Sequence, residues 1–440
     1  MRGRYRTIRR IAGCALGVFA FPAAAAAADT GTVSGKVEAE LVSAVRLNDG
    51  DTRLARATIK PSIRWRNSQN WQSDVSARLE ISDDQSELGT TGTFSDLSQP
   101  LLRSGNVRLE IDKATQTYRG DGLSVTLGKQ TVAWGILDGL QVTDRFDAVR
   151  RRDAVFTDPR PERIARWGAR VKLTSDDTEV DLAAMLDASV NQLPSAGGTF
   201  SPLATRARGG IPAGAATPPL RVSSRNAALD DATVGARFSR GFSGTTLSLV
   251  AISGPDTDPV FRLTAADGLP EVQLDYPRRT LLGGTIERSA GSQVWRAEVA
   301  IIPDQVVNSL TQAPLSSAEQ TRVLAGVGLD WSAPNDIFVN AQLGVDHVSE
   351  GNEQLVRPPS DVIATLRVQK SLLNERLWLR GELISILSDG DGTLRPWADW
   401  RVTDTATVSA GADLIWGTKE GLIGQFRDQS RGWVRLKLSL

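Results

Sequence analysis

WQSDVSARLEIS, residues 71–82, is the stretch whose reading decides the fold. Trp71, Ser73, Val75, Ala77, Leu79 and Ile81 fall on one side of an extended chain, and Gln72, Asp74, Ser76, Arg78 and Glu80 on the other. A period of two with one apolar side describes a β-strand that meets different surroundings on its two faces. The same alternation returns in GTVSGKVEAEL (31–41), where Val33, Val37, Ala39 and Leu41 oppose Lys36, Glu38 and Glu40. It returns in ARWGARVKL (165–173), where Trp167, Ala169, Val171 and Leu173 oppose Arg166, Arg170 and Lys172. Near the end, Leu394, Ala398, Trp400 and Val402 oppose Arg395, Asp399 and Arg401.

Alternation alone also suits a soluble sandwich, so the connections have to choose. Short turns at NSQN (67–70), YRGD (118–121), TSDD (174–177), RGFSG (240–244), SAGS (289–292), SAPND (332–336) and LLNE (372–375) alternate with long segments. The long ones lie at about 83–105, 130–163, 190–229, 254–279 and 303–320. Tight turns at one rim and long loops at the other are the pattern of a transmembrane up-and-down antiparallel β-barrel. Counting strands between turns predicts about 18, with 16 as the runner-up, and an even number returns both ends to the periplasmic side. Trp65, Trp71, Trp331 and Trp400 lie on the outward side near short turns, as an interfacial girdle requires, and Trp416 lies at a long-loop end. Trp378 and Trp433 have lumenal parity. Pro61 falls inside a strand and predicts a β-bulge there.

The start of the chain reads as an address. Arg2, Arg4, Arg6, Arg9 and Arg10 precede an apolar run ending in small residues before Asp29, the three parts of a Sec signal peptide over 1–28. Cleavage there removes the one cysteine, Cys14, so no disulfide is expected in the mature chain. The full chain balances 51 basic against 51 acidic residues, and losing five arginines leaves it mildly acidic. That balance excludes an electrostatic case for nucleic-acid binding. The single domain 29–440 is expected in the bacterial outer membrane, surrounded by outer-membrane lipid.

Between the expected fifth strand, SVTLGKQTVAWG (124–135), and the sixth, ERIARWGARVKL (162–173), the alternation stops. WGILDGLQVTDRFDAVRRRD (134–153) instead sets Asp138, Asp144, Asp147 and Asp153 beside Arg145, Arg150, Arg151 and Arg152. Placed as the third long loop, 130–163 has the position of the loop that folds inward and narrows general porins. Such charges would lay a transverse field across a constriction and select solutes, with Lys129, Gln130, Trp134 and Phe146 as anchors. The lumen-facing Arg64, Arg78, Arg108 and Arg170 are expected to supply the opposing wall. The competing reading pairs these charges with one another on an exposed loop.

Gly128, Lys129, Gln130, Trp134 and Gly135 resemble the G-[KR]-Q-x-x-x-W-G element of proteobacterial outer-membrane barrels, with more distant similarity to alginate-export barrels. The resemblance implies a second role, as the barrel of an envelope export system for lipids, hydrophobic compounds or polysaccharide, with an inner-membrane exporter as partner. GWVRLKLSL (432–440) resembles the C-terminal signal read by the barrel-assembly machinery, with Leu440 where Phe is usual.

An enzyme is the other class. The one histidine, His347, shares outward parity with Ile337, Val339, Leu343 and Val345, and Asp346 and Glu350 read as rim acids, so no catalytic residue is assigned. No His/Cys cluster has metal spacing and no phosphate loop is present, so neither metal nor cofactor is expected. Residues 196–220, rich in Gly, Ala and Pro, read as a mobile extracellular loop. A porin-like channel for small hydrophilic or charged solutes is the expected function, as a homotrimer or a monomer.

Overall fold

The computed structural model describes residues 31–153, 162–215, 220–223, 225, 229–266, 269–311, 315–349 and 351–440. The expected signal peptide, 1–28, lies outside them. Eighteen strands close a barrel. Strands 1 to 6 are Thr32–Arg46, Thr52–Arg66, Trp71–Ser82, Val107–Gly120, Leu123–Gln130 and Arg166–Ser175. Strands 7 to 12 are Thr178–Met185, Thr233–Phe242, Thr245–Pro255, Arg278–Ala290, Gln293–Ser309 and Ser316–Ala333. Strands 13 to 18 are Ile337–Val348, Ser360–Leu372, Leu377–Ile386, Asp391–Arg401, Ala406–Trp416 and Arg431–Ser439. Each pairs antiparallel with the next, and strand 18 returns to strand 1 with Leu438 opposite Ala39, so no barrel edge is left unpaired. Leu102–Ser104 adds a short nineteenth strand beside strand 4.

The alternation becomes an outside and an inside. Val75, Leu249, Val299 and Val327 are exposed on the outer surface, as hydrocarbon contact demands, while Arg78, Glu80 and Glu298 on the opposite face are buried. Trp65, Trp71, Trp331 and Trp400 are exposed outside, and Trp433 points inward to donate its indole N–H to Asp413. Turns at one rim use positive backbone angles: Ser243 and Gly244 take φ of 48° and 76°, the geometry that matches hairpin twist.

The bulge expected at Pro61 occurs instead at another proline. Pro61 needs no bulge, because Ile59–Leu79 and Ser62–Ser76 keep one register on either side of a gap in the pairing. Pro303 does sit in a bulge, between Ile302 and Gln305, next to Asp304 at φ 52°. The bulge absorbs the missing donor, so strands 11 and 12 run on to Ser309 and Ser316 and the expected long loop 303–320 shrinks to 310–315.

Several loops occupy the mouth and interior. The 83–106 loop holds short 3-10 turns, and the 256–277 loop contains a hairpin, Val260–Ala266 with Leu269–Asp275, joined in parallel by Leu220–Val222. Over its described part, the segment 196–220 is tethered instead of free. Phe200 is buried edge-on to Phe426 at 5.4 Å, and Arg206 bridges Asp361 and Asp389, each at 2.7 Å.

Candidate functional site

The chain leaves strand 5 at Gln130, and residues 131–135, expected to extend that strand, turn into the lumen. Gln130 marks the exit by donating its amide N–H to the Thr126 carbonyl at 3.1 Å. The loop is apolar where it meets the wall. Val132, Trp134, Leu137, Leu140, Val142 and Phe146 bury themselves in one cluster with Met185, Val250, Ile252, Leu281, Ile302 and Leu324 of strands 7 to 12. All six wall residues lie on the face opposite the exposed aliphatics, so the described part of the loop, from 131 to 153, lies inside the barrel.

A lane of glycines receives it. A Cβ at Gly326 would stand 2.6 Å from Leu137, at Gly344 2.9 Å from Leu140, at Gly283 2.9 Å from Thr143 and at Gly235 2.6 Å from Trp134. Real side chains do not approach so closely, so a larger residue at these positions forces the facing loop side chain to shift. Trp134 packs against Phe146 with ring centroids 4.9 Å apart and donates its indole N–H to Asp181 at 2.9 Å. The main latch is Glu298 on strand 11. Its carboxylate accepts the N–H groups of Ile136, Leu137 (2.7 Å) and Thr143 (2.9 Å) and the Thr143 hydroxyl (2.7 Å).

The loop's charges are matched one by one. Arg152 gives Glu80 two hydrogen bonds, at 2.6 and 2.8 Å, and Arg150 pairs with Glu110. Asp153 pairs with Arg56 at 2.8 Å and Asp144 with Arg163, while Asp147 accepts from the Val132 N–H and lies 3.6 Å from Arg166. Arg145 and Arg151 approach Asp258 of the 256–277 loop at 3.6 and 3.2 Å. Lys129 is buried at the loop's root.

The pairing of these charges differs from both readings of the sequence. The charges do not pair among themselves on an exposed loop, because most partners belong to the wall or to other loops. Nor do the wall arginines face them across a gap: Arg78 and Arg108 converge on Glu80, the same carboxylate that holds Arg152. Like charges gather there because one fully buried acid needs several donors. Arg64 and Arg170 are taken by Asp74 and Asp181 on neighbouring strands, at 2.7 and 2.5 Å.

Beside the loop a cavity of about 1070 Å³ remains. Asp138, Gln141, Arg145 and Arg151 line one side, and residues of strands 12 to 15, among them Arg322, Asp346 and Glu382, line the other. Thus the eight charges of 134–153 separate into Asp138, Arg145 and Arg151, which reach the cavity, and five that fasten the loop.

Burial pushes the Asp147 carboxyl up to about 6, against the opposing pull of Arg166. Burial, with Arg322 nearby, pushes the Arg145 guanidinium down to about 10. An acid whose folded pKa exceeds its unfolded value of 3.8 binds its proton more tightly in the native protein. Its contribution to stability is therefore greatest at low pH and falls as pH rises through about 6. Asp147→Asn keeps an acceptor for Val132 and is expected to raise the melting temperature at pH 7.5 and to flatten its dependence between pH 4 and 7. An unaltered pH profile would remove Asp147 from the account.

No protein-family model matches the chain, and no curated protein matches it in sequence. Solved structures do. OccAB1 of Acinetobacter baumannii matches over 95% of this chain and 98% of its own, with a TM-score of 0.51 at 8% identity. OccAB2 of the same organism matches over 93% and 98%, with a TM-score of 0.51 at 9% identity. The A. baumannii outer membrane channel DcaP matches over 93% and 98%, with a TM-score of 0.44 at 10% identity. The likeness is one of fold.

His347 takes its expected outward place, exposed, with Nδ1 2.8 Å from the Ser360 hydroxyl across the strand pair. Its neighbour Asp346 points the other way, into ion pairs with Arg322 and Arg357 at 2.6 and 3.1 Å. Strand parity thus separates the histidine from the acid next to it in sequence. Glu80, Glu110 and Glu298, which hold the loop, were missed by sequence reasoning. Their signal was present: each has the same inward parity that singled out the arginines.

Proposed function

We propose that this chain is a porin-like channel of the bacterial outer membrane, passing small hydrophilic or charged solutes without energy input. Its passage would run between residues 138–151 of the inward loop and strands 12 to 15. One observation carries the reading: the loop is latched to the wall of strands 7 to 12, and a cavity of about 1070 Å³ stays open on its other side. Barrels of this strand number are wide enough for an aqueous channel. Strand 18 would carry the assembly signal, and a Sec signal would bring the chain to the periplasm.

Planar-bilayer recording tests this. Discrete conductance steps are expected, and a correctly folded barrel that carries no current would defeat an open channel. Arg151 reaches the cavity, whereas Arg150 and Arg152 serve buried carboxylates. Arg151→Gln is therefore expected to lower the anion-to-cation permeability ratio about twofold at low salt. An unchanged ratio would deny this loop a part in selection.

A further inference from the structure

The free space changes character with depth. Near the mouth, Asp346 and Asp361 are bound into a chain of ion pairs with Arg322 (2.6 Å), Arg357 (2.8 Å) and Arg206 (2.7 Å). Deeper, register sets Asn340 beside Arg367, Arg367 beside Glu382 and Glu382 beside Arg395, a second polar belt across strands 13 to 16. Between the belts, Gly344 pairs with Ile363 and Ile363 with Ile386.

That middle level gathers apolar side chains from several lining elements, with Gln141 and Thr365 as polar neighbours. Leu140 and Val142 come from the inward loop, with Leu140 seated over Gly344. Leu324, Ile363 and Ile386 come from the wall, and Ile423 comes from the 417–430 loop. Ile363 joins two apolar clusters, the one formed by the inward loop and the one holding Phe200, Ile386, Ile423 and Phe426. The collar is thus assembled from three distant parts of the chain. These apolar side chains offer no hydrogen bond to a passing ion, and apolar constrictions hold back hydrated ions by dewetting.

We infer that this collar makes the passage selective for amphiphilic solutes, those with a polar or charged head and a short alkyl chain or single ring. The inference deepens the channel reading and rests on it. Along strand 14, Ile363 lies about 7 Å below Asp361 and about 13 Å above Arg367. A head held at either belt therefore lets a short apolar segment lie on the collar, where it replaces water from an apolar wall. A small inorganic ion has no such compensation and crosses at the full desolvation cost.

The test is flux through liposomes carrying the refolded protein, with solute pairs that share a head group and differ in tail: hexanoate against acetate, and hexylammonium against methylammonium. In the wild-type protein the longer member of each pair is expected to pass faster, each rate being corrected for leakage through protein-free liposomes. Ile363→Thr, which suits a strand, and Leu140→Ser, on the loop side, should both reverse that order. Both should also raise potassium chloride conductance about threefold. Acetate and methylammonium outpacing their longer partners in the wild type, or variants that leave order and conductance unchanged, would overturn the collar while leaving a channel in place. No flux of any solute in wild type and variants alike would defeat the channel reading, and the collar with it.

Discussion

Glu298→Ala is expected to release the inward loop and raise single-channel conductance several-fold. The carboxylate is 4% exposed and answers four donors: three backbone N–H groups on either side of the loop's tip and one hydroxyl. A buried donor left without a partner costs about 1–3 kcal/mol, and water can rescue some of these four. A net loss of roughly 3 kcal/mol follows, about a hundredfold in the ratio of seated to unseated loop. Glu298→Gln, which keeps one acceptor oxygen, should lie between the wild type and the alanine variant. Conductance and current noise equal to the wild type in Glu298→Ala would mean that the apolar contacts hold the loop without the latch.

The second large effect falls on the barrel itself. Glu80 is fully buried and receives Arg78 at 2.8 Å, Arg108, and two bonds from Arg152. Glu80→Ala leaves three buried guanidinium groups to share the remaining acids, and breaking buried ion pairs from one side costs about 3–5 kcal/mol. For a chain of this length the melting temperature should fall by roughly 3–6 °C. Heat-modifiable migration of the folded barrel in detergent gels gives the readout. A melting temperature within experimental error of the wild type would show that Arg78, Arg108 and Arg152 find other partners at no cost.

How far such features could be read from sequence depends on the range of the contact. Strand parity needs only neighbours two residues apart, so WQSDVSARLEIS and its counterparts disclose faces, and turns such as Ser243-Gly244 disclose the rim. The place of the charged loop between strands 5 and 6 follows from counting. Where the loop rests does not follow, because its seat is built from residues more than a hundred positions away: Gly283, Glu298, Gly326 and Gly344. A glycine at an inward position reads locally as a weak point in a strand, and only the leucine it accommodates gives it meaning. Partner choice is hidden for the same reason. Arg150, Arg151 and Arg152 are consecutive, yet they reach Glu110, Asp258 and Glu80 on separate elements. Phe200 was obscured differently, by a low-complexity context that hides one buried ring.

Everything functional here requires residues 131–153 to lie inside the barrel, and a cysteine pair tests that directly. Thr143 faces Gly283 so closely that a Cβ on the glycine would stand 2.9 Å from the threonine methyl. With Cys14, the one native cysteine, changed to serine, Thr143→Cys and Gly283→Cys in the same chain should bring two sulfurs into disulfide range. Spontaneous oxidation of the folded barrel, seen as loss of both free thiols and a peptide cross-link by mass spectrometry, is the predicted result. Two thiols that stay reduced and react freely with a membrane-impermeant maleimide would place the loop outside and contradict the account.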